Sequence, residues 1–278
     1  MIGYTISVPY RKEAYIMEYL KKNYHTHTTR CGHASGKERE YIENAIEAGI
    51  QVLGFADHTP YPFDVAGVDY KSGVRMDVSL AEDYVTTLSA LREEYKDRIK
   101  ILIGFEAEYY PLCFEGLCKI VKDYNIDYLI LGQHFTNNEF DGTYAGRPCT
   151  TETFKSYIDS VITAIETGYF SYIAHPDMVN YTEDDEVYKE EMTRLCKRAK
   201  ELDIPLEINF LGFHESRRYP CERFFKIAAE IGNKVIYGVD AHVPTFFTDT
   251  AETFKKVEEF RKNLGLELTD EINLISGR

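Results

Sequence analysis

Seven of the eight histidines in this 278-residue chain share one kind of position, at or just beyond the end of a short apolar run. Glu106 and Asp240 each lie at the end of such a run or directly after it. Imidazole nitrogens and carboxylate oxygens are ligands that suit Zn²⁺, Mn²⁺ and Fe²⁺ in proteins. The seven histidines are His25, His27, His33, His58, His134, His175 and His242.

Nine such donors exceed the needs of one metal ion. A single histidine at a strand end is more often a hydrogen-bonded polar residue than a ligand, but seven at equivalent positions argue against coincidence. Since one zinc-type ion takes about four ligands, the set predicts two to three divalent transition metal ions (Zn, Mn or Fe). His25 and His27 fit this prediction, because side chains two residues apart in a strand point to the same face.

The apolar runs that precede these donors are typical of buried strands, since each is short and rich in β-branched or aromatic residues. The predicted strands are 24–27, 51–56, 100–105, 128–132, 170–174, 204–209 and 234–239. Amphipathic segments predict helices over 37–49, 79–98, 151–167, 185–202, 221–231 and 251–264. We expect a capping box from Ser79 to Glu82 to open the second of these helices.

Alternating strands and helices predict an α/β fold with a parallel sheet and right-handed crossovers. Seven such units favour a closed or nearly closed (β/α)7 barrel, with a doubly wound open sheet as the alternative. The C-terminal ends of all strands in a parallel barrel open on one face, so the nine donors would converge there on one metal site. The length suits a single domain over residues 1–278, with residues 1–22 as an N-terminal extension.

The net charge and the cysteine content limit the kinds of partner molecule and the cellular compartment that we expect. A formal net charge of −14 disfavours nucleic acid, which requires clustered Lys and Arg. A small phosphorylated substrate remains compatible, because bound metal ions supply local positive charge. The six cysteines form no CxxC pair, and no secretory signal or membrane-spanning stretch is evident, so we expect a cytoplasmic protein without a membrane partner. Cys31 is interpreted as a packed side chain rather than a ligand.

These motifs resemble those of the PHP (polymerase and histidinol phosphatase) superfamily over roughly residues 23–243. The segment His25-Thr-His-Thr-Thr-Arg-Cys-Gly-His33 is similar to the opening PHP motif. Later motifs are similar to Phe55-Ala-Asp-His58, Gly104-Phe-Glu106, Ile173-Ala-His-Pro-Asp177 and Gly238-Val-Asp-Ala-His242. Segments 57–63, 75–76, 106–110, 207–209 and 219–220 resemble the histidinol-phosphatase branch in particular.

The resemblance implies a distorted seven-stranded barrel with a trinuclear metal centre. It also implies the hydrolysis of L-histidinol phosphate to L-histidinol and phosphate, a step in histidine biosynthesis. Three groups of ligands follow from it: His25, His27, Glu106 and Asp240 in the first, His33, His58 and His242 in the second, and Glu106 again with His134 and His175 in the third.

Residues for substrate binding and proton transfer come from loops as well as strands. Family members often carry a basic residue shortly after the glycine that matches Gly212, where this chain has Phe213-His214. Arg217 or Arg218 is a candidate for that phosphate contact and Arg147 is another, because guanidinium groups bind phosphate through paired hydrogen bonds. Glu108 lies one pleat beyond the third-strand ligand on the same side, where it is a candidate either for supporting a metal ligand or for contacting the substrate. The candidate proton donors to the leaving group are Asp57, His175 and His242.

Three alternatives stay open from the sequence. The PHP superfamily contains nucleases and nucleotide phosphatases, and the acidic charge disfavours a polymeric substrate. Amidohydrolase-type enzymes also begin with a strand HxH, but they usually bridge their metals with a modified lysine where this chain has Glu106. The third is a metal-stabilised binding module without turnover, and the complete ligand set argues against it.

Overall fold

The computed structural model describes residues 20–64 and 67–275. Eight parallel strands follow one another in chain order, and each pairs with the next. They are β1 (Lys22–Asn23), β2 (Val52–His58), β3 (Lys100–Ala107), β4 (Tyr128–Leu131), β5 (Phe170–Ile173), β6 (Leu206–Asn209), β7 (Lys234–Gly238) and β8 (Glu267–Leu268). Of the predicted N-terminal extension, residues 1–19 lie outside the described residues.

Helices connect these strands. They are α1 (Glu38–Glu47), α2 (Ala81–Tyr95), α3 (Phe114–Asp123), α4 (Thr151–Glu166), α5 (Asp185–Glu201), α6 (Phe210–His214), α7 (Glu222–Ile231), α8 (Phe246–Asp249) and α9 (Ala251–Asn263). The sequential order of the strands confirms the predicted barrel class and excludes a doubly wound sheet, in which the strand order reverses. Within the described ranges, no helix has the length and apolar character needed to cross a membrane.

The first and seventh strands meet beyond their ends, at the mouth of the barrel. Thr26 forms a parallel bridge with Ala241, and the backbone N–H of His27 donates to the Ala241 carbonyl at 2.9 Å. At the opposite end β8, which the sequence did not predict, pairs with the start of β7. The segment after β8 covers the barrel floor, where the Tyr24 hydroxyl donates to the Asp270 carbonyl at 2.8 Å.

Helix α4 illustrates how the outer layer is held against the sheet. The Thr150 side chain caps it by accepting from the N–H of Thr153, which satisfies one of the free donors at a helix start. Its apolar residues recur three and four positions apart and form one buried face. That face consists of Phe154, Tyr157, Ile158, Val161, Ala164 and Ile165. Packing of such faces fixes the helices, and the helices fix the loops at the barrel mouth.

The predicted capping box is wrong, and three of the described helices, α3, α6 and α8, were not predicted. The capping box at Ser79 does not form: Asp77 accepts from the N–H of Ser79 at 3.0 Å and opens a 3-10 turn at Val78–Leu80, and α2 then starts without a side-chain cap. Helix α3 escaped prediction because its start also has no side-chain cap and Gly116 lies in its first turn. Glycine lowers helix propensity by about 1 kcal/mol relative to alanine.

Aromatic side chains fill the barrel interior below the mouth. Tyr128 extends across it, and its hydroxyl donates to the carbonyls of Tyr24 at 2.7 Å and Phe55 at 3.1 Å. Its ring fits because Gly104 has no side chain: a Cβ there would lie 2.6 Å from the ring. The interior cluster comprises Tyr24, Ala56, Leu102, Tyr128, Ile130, Tyr172, Ala174 and Ile236. This packed layer supports the polar residues at the mouth.

Gly104→Ala should lower the free energy of unfolding by about 1–3 kcal/mol, because the added methyl group overpacks the interior against Tyr128. The matched control is Gly73→Ala, where a Cβ would meet nothing within 4 Å. Denaturant unfolding followed by circular dichroism measures both variants. Equal stability of Gly104→Ala and the control would contradict this account of the interior.

Candidate metal centre

The nine predicted ligands converge at the mouth of the barrel. They come from the ends of β2, β3 and the segments that follow β1, β4, β5 and β7, together with the loop that contains His33. Their imidazole rings form a continuous cluster: ring centroids lie 4.1 Å apart for His27 and His242, 4.6 Å for His27 and His58, and 4.9 Å for His134 and His175. The structure therefore brings together the residues that sequence position alone selected.

The first predicted group is framed by four atoms. Nε2 of His25 lies 3.5 Å from Glu106 Oε2 and 3.5 Å from Asp240 Oδ1. Nε2 of His27 lies 3.5 Å from the same Glu106 oxygen and 3.1 Å from the same Asp240 oxygen. Tetrahedral ligands bonded at 2.0–2.1 Å stand roughly 3.3 Å from one another, which matches these separations. Both Nε2 atoms are buried without a hydrogen-bond partner, as expected of atoms that bind a metal ion.

Glu106 lies between this group and the third predicted group. Its Oε1 lies 2.8 Å from His175 Nε2 and 3.4 Å from His134 Nε2, while its Oε2 faces His25 and His27. The carboxylate therefore presents one oxygen to each group, which is the arrangement a bridging ligand requires.

The remaining predicted ligands lie around His242, whose ring is stacked next to that of His27. Its ring nitrogens fall within 4.8 Å of donor atoms of His27 and His58, and likewise of Cys31 and His33. Cys31 is buried, and its thiol donates to the Thr28 carbonyl at 3.1 Å. That contact agrees with its interpretation as a packed side chain, although its sulfur is near enough to His33 to belong to the same cluster.

Neighbouring oxygens fix which ring nitrogen faces the cavity. Nδ1 of His25 donates to Glu207 Oε1 at 2.7 Å, and Nδ1 of His134 donates to Glu108 Oε1 at 3.0 Å. The equivalent atoms of His33 and His242 donate to backbone carbonyls at 3.1 and 3.0 Å. Because carboxylate and carbonyl oxygens only accept, Nδ1 carries a proton in these rings, so a metal ion or a second proton binds at Nε2.

Strand β6 provides no predicted ligand but holds three of them. Glu207 Oε2 accepts from the backbone N–H of His175 at 2.9 Å and from Asn209 Nδ2 at 2.9 Å. Asn209 Nδ2 also donates to Asp240 Oδ2 at 3.1 Å. Neither side chain was assigned a role from the sequence, although two polar residues at alternate positions of an apolar strand indicate a shared inward face. Both are fully buried.

Glu108, a predicted substrate contact, is held by the protein instead. Its carboxylate pairs with the buried Arg75 at 3.0 and 2.9 Å and also accepts from His134. Arg75 lies over the Tyr61 ring at 5.2 Å and pairs with Glu139 as well. Glu108 therefore orients a ligand, and its charge is already compensated.

Some of the other predicted residues line the cavity, and others lie outside it. The cavity has a volume of about 430 Å³, and His175, His242 and Arg217 contribute to its lining. Asp57 lies behind His27, with 3.5 Å between its Oδ1 and the ring Nδ1, and accepts from the N–H of His58 at 2.8 Å. Arg147 is exposed and does not contribute to the lining. The structure thus brings neither Asp57 nor Arg147 to the cavity.

Opposite charges in the cluster shift the pKa values of neighbouring side chains. Burial raises the pKa of Glu106, but the charges of His134 and His25 outweigh it and hold that pKa well below the usual carboxyl range. Burial lowers the pKa of His25, whereas Asp240 and Glu207 raise it, with a net pKa of about 10. The carboxylate is therefore ionised at neutral pH, and His25 holds a proton until another cation replaces it.

Comparisons with known proteins show which family the chain belongs to. The chain matches the family model of the PHP domain over residues 23–211. A protein of Deinococcus radiodurans named "Probable histidinol-phosphatase" is 30% identical over 231 residues, which cover 79% of this chain and 85% of that protein. The histidinol-phosphatase of Bacillus subtilis is 28% identical over 155 residues, covering 55% of this chain and 57% of that protein.

A solved structure shares the fold. It is the crystal structure of histidinol phosphate phosphatase from Lactococcus lactis, complexed with zinc, L-histidinol and phosphate. The two chains are 17% identical with a TM-score of 0.68, and the match covers 91% of this chain and 98% of that one.

Metal binding should release protons at neutral pH, and the apparent affinity should fall as the pH is lowered. The raised pKa of His25 means that lower pH favours the protonated ring, which competes with the metal ion. Calorimetric titration of metal-free protein with Zn²⁺, in buffers of different ionisation enthalpy, measures the protons released. A binding heat that is independent of the buffer would contradict this expectation.

Glu106→Gln should lower the metal content below the two to three equivalents expected for the wild type. An amide offers one neutral acceptor oxygen and cannot bridge two cations. Elemental analysis of protein purified without chelator measures the content, and circular dichroism checks the fold. The matched control is Glu115→Gln on the exposed face of α3. Wild-type metal content in Glu106→Gln would show that this carboxylate does not bridge.

Proposed function

The chain belongs to the PHP domain family, and we propose that it is a metal-dependent phosphatase that hydrolyses L-histidinol phosphate to L-histidinol and phosphate. The observation that carries the proposal is the position of Glu106, with one oxygen toward His25 and His27 and the other toward His134 and His175. The substrate is supported by the relatives' names and by the zinc, L-histidinol and phosphate in the Lactococcus lactis structure.

We propose that the nine residues hold two to three divalent ions of Zn, Mn or Fe. Such ions supply Lewis acidity toward phosphate oxygens and generate a nucleophile from water at neutral pH. The donor atoms suit them, because Nε2 of His25 and of His27 are buried without hydrogen-bond partners. Glu207 and Glu108 keep the protons of His25 and His134 on Nδ1, away from the proposed metal positions.

Arg217 is the proposed contact to the phosphate. Its guanidinium group lines the cavity and is partly exposed to solvent. Arg75 also reaches the lining, but it is buried between two buried carboxylates, Glu108 and Glu139, whereas Arg217 pairs with a half-exposed carboxylate, that of Glu215. Of the three predicted substrate contacts we therefore retain Arg217, because guanidinium groups bind phosphate oxygens through paired, charge-assisted hydrogen bonds.

The leaving alkoxide must gain a proton as the phosphoester bond breaks. Asp57 is behind His27 and accepts hydrogen bonds from Thr28 and His58, so it does not reach the cavity. His175 and His242 both line the cavity, and we propose proton transfer for whichever of the two does not bind a metal ion, because a metal-bound ring nitrogen carries no proton.

The protein should hydrolyse L-histidinol phosphate with a kcat/KM roughly tenfold or more above those for AMP and a sugar phosphate. A site that pairs the substrate amine gains a charge-assisted hydrogen bond that the other esters lack. Phosphate release at fixed metal concentration measures all three. Comparable values would reduce the function to a general phosphomonoesterase, and a preference for AMP would overturn the proposed substrate.

A further inference from the structure

The cavity lining contains one carboxylate without a role in the proposed metal centre, that of Glu215. The other carboxylates in the described lining are engaged elsewhere: Glu106 and Asp240 face the imidazoles, and Glu108 pairs with Arg75. Glu215 is about half exposed, with 47% of its side chain accessible. It is therefore available to a bound molecule in a way that the other three are not.

A tight turn after α6 holds Glu215 beside Arg217. The N–H of Arg217 donates to the Gly212 carbonyl at 2.8 Å, and Ser216 between the two charged residues adopts a left-handed conformation with φ of 54°. Glu215 Oε2 lies 2.7 Å from Nε and 2.7 Å from Nη2 of Arg217. The two opposite charges thus enter the cavity as a pair.

The pair of Arg217 and Glu215 is connected to the proposed metal ligands through Tyr219. Nη1 of Arg217 donates to the Tyr219 hydroxyl at 2.7 Å, and the Tyr219 ring lies 5.5 Å from the ring of His175. The contacts along the cavity wall therefore run from His175 to Tyr219, then to the cation of Arg217, and then to the anion of Glu215. A phosphate bound at the metal centre and Arg217 would place its substituent toward Glu215.

We propose that Glu215 binds an ammonium group of the substrate, so that the site selects phosphomonoesters with an amine close to the ester oxygen. This inference rests on the phosphatase function proposed above. A phosphate that binds Arg217 competes with Glu215 for the guanidinium group and leaves the Glu215 carboxylate beside another anion. An amine on the same substrate restores a cationic partner to Glu215, which an uncharged or anionic substituent cannot do.

The test compares two esters that differ only in the amine, O-phosphorylethanolamine and ethyl phosphate. In the wild type the ratio of their kcat/KM values should favour the amine. Glu215→Gln should lower that ratio about tenfold, equivalent to about 1.4 kcal/mol, because the amide keeps the shape but loses the charge. Glu215→Asp should retain more of the preference than Glu215→Gln.

The matched control is Glu222→Gln, which removes an exposed carboxylate on α7 that pairs with Lys226 at 2.7 Å. This control should keep the wild-type ratio. An unchanged ratio in Glu215→Gln with wild-type metal content would overturn the inference, as would equal kcat/KM for both esters in the wild type, while the phosphatase function would stand. Failure of the wild type to hydrolyse any phosphomonoester would reject both.

Discussion

The whole arrangement depends on negative charge buried at the barrel mouth, only part of which is compensated by a cationic side chain of the protein. The buried carboxylates there are those of Asp57, Glu106, Glu108, Glu207 and Asp240. Three of them are satisfied by N–H donors of the protein or by Arg75, but Glu106 and Asp240 chiefly face imidazole nitrogens. Because burying a charge without a partner costs several kcal/mol, this geometry is stable only with protons or metal ions among the rings.

The convergence of the nine proposed ligands could be predicted because each of them follows from its own segment of chain. A strand is recognisable from a short apolar run, and its C-terminal end follows from the direction of the chain. The residues that support the ligands could not be assigned in this way. Glu207 contacts His25 from 182 positions away in the sequence, and that contact exists because the barrel closes through Thr26 and Ala241.

The roles of loop residues are even harder to predict from the sequence than those of the residues that support the ligands. Arg147 and Arg217 both follow strands at the correct end of the barrel, so strand order alone ranks them equally. The turn that carries Arg217 folds back on Gly212 and brings the guanidinium group to Tyr219, whereas Arg147 is exposed to solvent. Periodicity predicts where a strand ends, but the backbone conformation of the following loop decides which side chain reaches the cavity.

A glycine, which has no side chain, is as important for the geometry of the candidate metal centre as the proposed ligands are. Gly132 directly follows β4, and a Cβ at this position would lie 2.0 Å from Glu106 Oε1. Any larger residue would therefore displace the oxygen that faces His134 and His175. Glycine at a buried strand end costs conformational entropy on folding, and here that cost makes room for a carboxylate between two groups of imidazoles. The glycine therefore makes the barrel somewhat less stable at its mouth, but it leaves the space that the proposed ligands require.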